Sequence, residues 1–157
     1  MKKVKQKIGY SNEAELISKA LHCLENKLRY ASDNKMNNSK DVSAYVRLQL
    51  ADEKEEVFAV LFLDNHFKLI AFEKLFYGTI NESPVYPRKI VKKALEHNAA
   101  KLIIAHNHPS GLCNPSEADK MITTKIREIL EIVDVGLVDH IVVTHMDTYS
   151  FAENLLL

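Results

Sequence analysis

The chain has few cysteines, no long apolar run and no excess of charge of either sign. Its 157 residues include only Cys23 and Cys113, which offer no disulfide framework. No apolar stretch reaches the roughly 20 residues that span a bilayer. The amino-terminal run Met1–Lys7 is basic, but no apolar segment follows it as in a signal peptide. These absences favour a cytoplasmic protein that contacts no membrane.

The charge balance also bears on the class of partner. Lysine plus arginine equals aspartate plus glutamate at 21 each, so the formal net charge is zero. No overall basic field is present to attract nucleic acid, and the lysines at 89–93 are expected on a solvated helix face. With 46% hydrophobic residues, the chain is long enough to bury one core.

Hydrophobic periodicity predicts helices that alternate with strands. The sequence favours helices over residues 12–30, 41–52, 87–98 and 116–133, and strands over 57–63, 68–75, 78–81, 101–105, 137–144 and 149–151. The polar, turn-rich segment 31–40 is the best linker candidate. Helices mixed with a strand hairpin indicate an α/β fold with a mixed sheet.

Two histidines, a serine and an aspartate form the most informative pattern. His106 and His108 stand two positions apart. Seven residues separate His108 from Ser116, and Asp119 follows Ser116 by three positions. Side chains two apart at a strand end point to the same face, so the histidines can converge while Asn107 points away. Ser116 is a plausible helix cap, which places Asp119 in the first helical turn. The pattern can therefore bring two imidazoles and a carboxylate to one ion.

Other interpretations of this cluster are weaker. Solvated loop histidines would be the default for an isolated His-x-His, but not with Ser116 and Asp119 at this spacing. A structural zinc site usually has four protein ligands, often cysteines, and only Cys113 lies nearby. The letters His-Asn-His do not reproduce the HNH nuclease motif, which is spread over a hairpin and a helix. A catalytic metal, with three protein ligands and an open position, is the favoured interpretation.

The motif and the segments around it resemble a known family. His106-x-His108, Ser116 and Asp119 match the JAMM motif of MPN/JAB-domain metalloproteases. The accompanying segments resemble the RadC-like (UPF0758) branch of that family: Phe76–Ile80, Tyr86–Arg88, Asn98–Ala100, Ala105–Gly111, Asp139–Ile141 and Tyr149–Ala152. The resemblance covers about residues 40 to 157, so we expect an N-terminal accessory helix and linker over 1–38 and a RadC-like JAB/MPN domain over 39–157.

The resemblance implies a fold and a set of site residues. The fold would be a single MPN/JAB-like (cytidine-deaminase-like) domain, with a mixed β-sheet flanked by helices. Zinc would be held by His106, His108 and Asp119, with Ser116 hydrogen-bonded near the reacting oxygen. A glutamate upstream would act as general base. Glu56, directly before the strand at 57–63, is our choice, and Glu55 is the alternative because one residue of register would exchange them.

The expected activity is hydrolysis of a peptide or isopeptide bond by a metal-activated water. Zinc lowers the pKa of bound water to about 7, Glu56 would move its proton, and Ser116 would donate to the developing oxyanion. The expected partner is a peptide or protein substrate, and a homo-oligomer is a further expectation. The alternative function is a non-catalytic MPN-like interaction module associated with DNA-processing proteins.

Two further residues near the motif have structural explanations. His140, beside Asp139 in the strand at 137–144, is expected to be a hydrogen-bonded structural histidine; the alternatives are a fourth metal ligand and a role behind the ligands. Cys113 lies between the ligands in sequence and could reach the ion, but an incidental loop cysteine is the favoured interpretation.

Overall fold

The computed structural model describes residues 10–30, 39–78 and 85–157. In chain order the elements are α1 (Tyr10–Tyr30), α2 (Ser39–Leu50), β1 (Val57–Leu63), β2 (Leu69–Tyr77), α3 (Pro87–Glu96), β3 (Lys101–Asn107), α4 (Glu117–Glu131), β4 (Gly136–Val143) and β5 (Thr148–Ser150). The predicted helices and strands within these ranges are present, with small displacements at their ends. The strand predicted near 78–81 and most of the predicted linker lie outside the described residues.

The five strands form one mixed sheet in the order β2-β1-β3-β4-β5. The hairpin of β1 and β2 is antiparallel, and β1 also pairs antiparallel with β3. The β3–β4 pair is parallel, with α4 as its crossover, and β5 returns antiparallel to β4. A mixed sheet with helices on its faces confirms the predicted α/β fold.

Alternation along the central strands divides the core into two layers. In β1, Phe58, Val60 and Phe62 face α3 and α4, whereas Ala59 and Leu61 face α1 and α2. Successive side chains in a strand point to opposite faces, so an uninterrupted apolar run such as β1 is typical of a strand covered on both sides. The same alternation in β3 directs the neighbouring side chains of His106 and Asn107 to opposite faces of the sheet.

The first helix packs on the domain through its carboxyl-terminal half. Leu28 is buried in the layer beneath α2, and the Arg29 guanidinium donates to the carbonyl of Ile70 at 2.6 Å. The predicted division between residues 1–38 and 39–157 stays a prediction. Among the described helices, none combines the length and the apolar character needed to span a membrane.

The carboxyl end of β3 carries the motif and differs from the prediction in one respect. The strand extends to Asn107 rather than ending at Ala105. His106 pairs with Phe58 of β1 and with Val142 of β4, so both neighbouring strands hold its backbone. A histidine held between two strands has little freedom, and this rigidity positions the site.

Candidate metal centre

Two histidines from the end of β3 meet an aspartate from the first turn of α4. The Nε2 atoms of His106 and His108 are 2.9 Å apart. Asp119 Oδ1 lies 3.2 Å from His106 Nε2, and Asp119 Oδ2 lies 3.5 Å from His108 Nε2. One ligand atom from each residue falls within 4.8 Å of the other two. The predicted convergence of these three side chains is confirmed.

The aspartate is held in place by the start of its own helix. Ser116 is the N-cap of α4, and its Oγ accepts from the Asp119 backbone N–H at 3.1 Å. In return, Asp119 Oδ2 accepts from the Ser116 backbone N–H and from the Ser116 hydroxyl, both at 2.7 Å. This is a capping box, in which two otherwise unsatisfied donors find partners. The other carboxylate oxygen of Asp119, Oδ1, faces His106.

The carboxylate stays ionised despite its burial. Burial raises the pKa of the Asp119 carboxyl, but hydrogen bonds with His106, His108 and Ser116 and the charge of His106 hold that pKa well below its usual value. Asp119 is only 1% exposed, so its negative charge is concentrated at the cluster. A buried carboxylate of this kind requires cationic or strongly donating partners.

The orientation of His108 leaves its Nε2 lone pair directed at the cluster. His108 Nδ1 lies 2.7 Å from the carbonyl oxygen of Leu112. A carbonyl only accepts, so Nδ1 carries the proton and neutral His108 has its free lone pair on Nε2. The hydrogen bond to Asp119 raises the pKa of His108 above 6.5, against the opposing effect of burial. A proton therefore competes with any metal ion at Nε2.

A second buried histidine supports the first. His140 Nε2 lies 2.8 Å from His106 Nδ1, and His140 Nδ1 lies 2.6 Å from Thr123 Oγ1. Burial, and then the charge of His106, lowers the pKa of His140 well below 6.5. The expectation that His140 is a hydrogen-bonded structural residue agrees with these contacts. Thr123 had no sequence signal beyond its place four residues after Asp119.

The donor set fits a metal ion. Imidazole nitrogen and carboxylate oxygen are ligands of zinc and of several other divalent transition metals. Among the described residues, His106, His108 and Asp119 form the one group of three or more such side chains close enough to share an ion. Lone pairs this close repel one another unless a proton or a metal cation lies among them. The arrangement is therefore compatible with a bound metal.

The two candidate glutamates border the same cleft as His108. Glu55 and Glu56 line it together with Gly78 and Ser110. Glu56 is partly buried and its charge contributes to the raised pKa of His108, whereas Glu55 is exposed. These positions favour Glu56, but the role of either glutamate as a base stays a prediction.

Asn107 binds the backbone on both sides of Glu56, a role that the sequence did not reveal. Its Oδ1 accepts from the Val57 N–H at 2.7 Å. Its Nδ2 donates to the carbonyls of Glu53 at 3.2 Å and Glu55 at 3.0 Å. Because neighbours in a strand face opposite ways, β3 directs His106 towards His108 and Asp119, and Asn107 to the loop that carries Glu56.

Cys113 does not join the ligand cluster. Its thiol lies 3.7 Å from the carbonyl oxygen of Val142, and burial raises its pKa. A protonated thiol is a poor zinc ligand, because the thiolate is the binding form. The interpretation of Cys113 as a loop residue agrees with this contact.

Known proteins similar to this chain share the same segment. A family model described as RadC-like JAB domain matches residues 36–156. A UPF0758 protein of Coxiella burnetii is 51% identical over 119 residues, which cover 76% of this chain and 53% of that protein. A UPF0758 protein of Haemophilus influenzae is 52% identical over 122 residues, covering 78% and 55%. The chain spans about half the length of these relatives, and their names state no activity.

Proposed function

This chain belongs to the RadC-like JAB domain family, and on that premise we propose that it is a zinc-dependent hydrolase of peptide or isopeptide bonds. The observation that carries the proposal is the meeting of His106, His108 and Asp119, each with a ligand atom within 4.8 Å of the others. Catalytic zinc takes three such protein ligands and leaves a position open.

The ligand residues define what the site can do. His106 and Asp119 are completely buried or nearly so, while His108 is partly exposed at the cleft. Substrate would therefore approach from the side of His108. Zinc held there would supply a Lewis acid and would lower the pKa of water to near 7. The protein supplies a rigid ligand geometry: β3 holds His106, the capping box holds Asp119, and the Leu112 carbonyl orients His108, which directly follows β3.

Glu56 is the proposed general base. It lines the cleft beside His108, and Asn107 fixes the peptide units on both sides of it. A base must lie within hydrogen-bond reach of the proton that it takes, so a fixed backbone favours this role. Glu56 would accept a proton from water and return it to the leaving amine. Glu55 is the alternative base.

Ser116 has two roles in the proposal, and they compete for one proton. Its hydroxyl donates to Asp119 Oδ2 at 2.7 Å, which orients that ligand. Donation to a developing oxyanion, as predicted, requires the hydroxyl to turn away from Asp119 during the reaction. The orienting role is therefore the one that acts before substrate arrives.

The proposed substrate is a peptide or protein, for which the cleft beside His108 is the binding place. The balanced charge of the chain does not favour nucleic acid as a substrate. Self-association into a homo-oligomer remains a further proposal.

The proposal is tested first by metal content. Tag-free protein should contain close to one zinc per chain by elemental analysis, and Asp119→Ala should lose it. Glu117→Ala is the matched control, because Glu117 is an exposed carboxylate in the same helical turn. Absence of bound metal, even after zinc is supplied, would overturn the hydrolase proposal and favour the non-catalytic interaction module.

Activity then separates the base from the ligands. A screen of peptide and isopeptide substrates should give zinc-dependent cleavage by the wild type. Glu56→Gln should keep zinc and lose cleavage, whereas Glu55→Gln should retain both. Full activity in Glu56→Gln would show that the base is assigned to the wrong residue.

A further inference from the structure

Thr123 lies beside the proposed metal site, and its hydroxyl forms no hydrogen bond with the side chains of His106, His108 or Asp119. It is 2% exposed, and its hydroxyl contacts two groups: the Asp119 carbonyl oxygen at 2.5 Å and His140 Nδ1 at 2.6 Å. His140 in turn contacts His106 Nδ1 at 2.8 Å. These contacts form one continuous chain from α4 through β4 to β3.

The direction of each hydrogen bond in the series Asp119–Thr123–His140–His106 is determined by the Thr123 hydroxyl. The Asp119 carbonyl can only accept, so the single Thr123 hydroxyl proton points at it. Thr123 Oγ1 must then accept from His140 Nδ1–H.

Neutral His140 consequently has its lone pair on Nε2, which can only accept from His106 Nδ1–H. In neutral His106 the free lone pair is left on Nε2, facing His108 and Asp119, and the cationic form, which donates from Nε2 to Asp119, keeps the same proton on Nδ1. The opposite direction would place the Thr123 oxygen and the Asp119 carbonyl oxygen at 2.5 Å with no proton between them. Only one tautomer of His106 therefore satisfies the whole chain.

We propose that Thr123, acting through His140, is a positioning residue that holds His106 in the Nδ1–H tautomer, the form that can bind a metal through Nε2. The inference rests on the proposed function for its consequence, but the tautomer itself exists without metal. A ligand histidine is usually oriented by a partner on its other nitrogen, and loss of such partners typically costs about 10–100-fold in metal affinity. Here the tautomer of His106 is determined one residue further away, at the Thr123 hydroxyl, which forms no hydrogen bond with a ligand side chain.

The helix provides a matched control next to the residue under test. Thr124 also donates its hydroxyl to the carbonyl four residues earlier, that of Lys120 at 3.1 Å, but it is exposed and has no histidine partner. Thr123→Val and Thr124→Val thus remove the same kind of helix hydrogen bond. They differ in the contact with His140. Thr123→Ser keeps the hydroxyl and removes only a methyl group.

The first measurement is zinc affinity by competition with a chromophoric chelator. Thr123→Val should bind about 10–100-fold more weakly than wild type, with Thr123→Ser and Thr124→Val close to wild type. Wild-type affinity in Thr123→Val would overturn the inference while leaving the proposed function intact.

The second measurement requires neither metal nor a variant. Nitrogen-15 spectra of the histidine rings in metal-free wild-type protein should show a proton on Nδ1 of both His140 and His106. An Nε2–H tautomer at His140 would overturn the inference. If wild type binds no metal and still shows these Nδ1 protons, the proposed function fails and the inference stands.

Discussion

Removing the Asn107 carboxamide should destabilise the domain at the loop that carries Glu56. In Asn107→Ala, three backbone groups lose their partner: the Val57 N–H, which is buried, and the carbonyls of Glu53 and Glu55. Leaving a buried donor unsatisfied costs about 1–3 kcal/mol, and each of the other bonds contributes about 0.5–1.5 kcal/mol. The expected loss is about 2–6 kcal/mol in the free energy of unfolding. That is a large fraction of the roughly 5–15 kcal/mol typical of a domain.

Asn107→Asp gives a sharper form of the same prediction because its effect depends on pH. One oxygen can still accept from the Val57 N–H, but the other would face the Glu53 and Glu55 carbonyls as an anion. Burial and these carbonyls should raise the folded-state pKa of the new carboxyl above the unfolded value of about 3.9. The folded state then binds more protons than the unfolded state, so the stability deficit should grow as pH rises through the raised pKa.

The assay is urea unfolding of metal-free protein followed by circular dichroism at several pH values. The quantity compared is the stability difference between each variant and wild type at the same pH, which cancels the titration of shared groups. Asn154→Asp is the control, because that exposed carboxamide donates to the Ser150 carbonyl and its replacement should cost little. An Asn107→Asp protein as stable as wild type at pH 7, or a deficit that does not change with pH, would refute the assigned contacts.

Two further predictions concern pH and the loop after His108. In metal-free protein, the lowered pKa of His140 makes stability fall as pH drops below 6.5, and the raised pKa of His108 makes it fall as pH rises above 6.5. Their combined contribution to the free energy of unfolding should peak near pH 6.5. It is measured by urea unfolding as the stability difference between wild type and the variants His140→Gln and His108→Gln, and a difference that only rises or only falls with pH would contradict this. Gly111 has φ +82°, and no neighbouring atom lies within 4 Å of the point where a β-carbon would stand. Gly111→Ala should therefore cost about 1 kcal/mol from backbone strain alone, and Ser110→Ala is the control. A loss above about 3 kcal/mol would mean that the methyl group meets a contact.

The parts of the fold that could be predicted are those with local signals. The apolar run of β1 and the alternation in β3 depend only on backbone geometry, so the strands and their two-sided burial follow from sequence. The meeting of His106, His108 and Asp119 could also be predicted, because side chains two apart at a strand end share a face and the capping pattern places Asp119 in the first turn of α4. The end of β3 could not, since it depends on pairing with Val142 and Val143 of a strand that comes much later in the chain.

The supporting residues could not be predicted because their partners are distant in sequence. His140 meets His106 only because β4 lies parallel to β3 in one register, and Thr123 meets His140 only because α4 turns that face inward. The contacts of Asn107 depend on the path of the loop between α2 and β1. The competing demand on the Ser116 hydroxyl also becomes visible only when the Asp119 side chain is placed.

The capping box at the start of α4 links occupancy of the site to local unfolding of a helix end. Helix ends open more readily than the core, and amide hydrogen exchange reports that opening. Here the opening of the first turn would release the Ser116 and Asp119 amides and withdraw the Asp119 carboxylate at the same time. An ion bound by that carboxylate opposes the opening by mass action. Amide protection in the first turn of α4 should therefore increase when an ion occupies the proposed site.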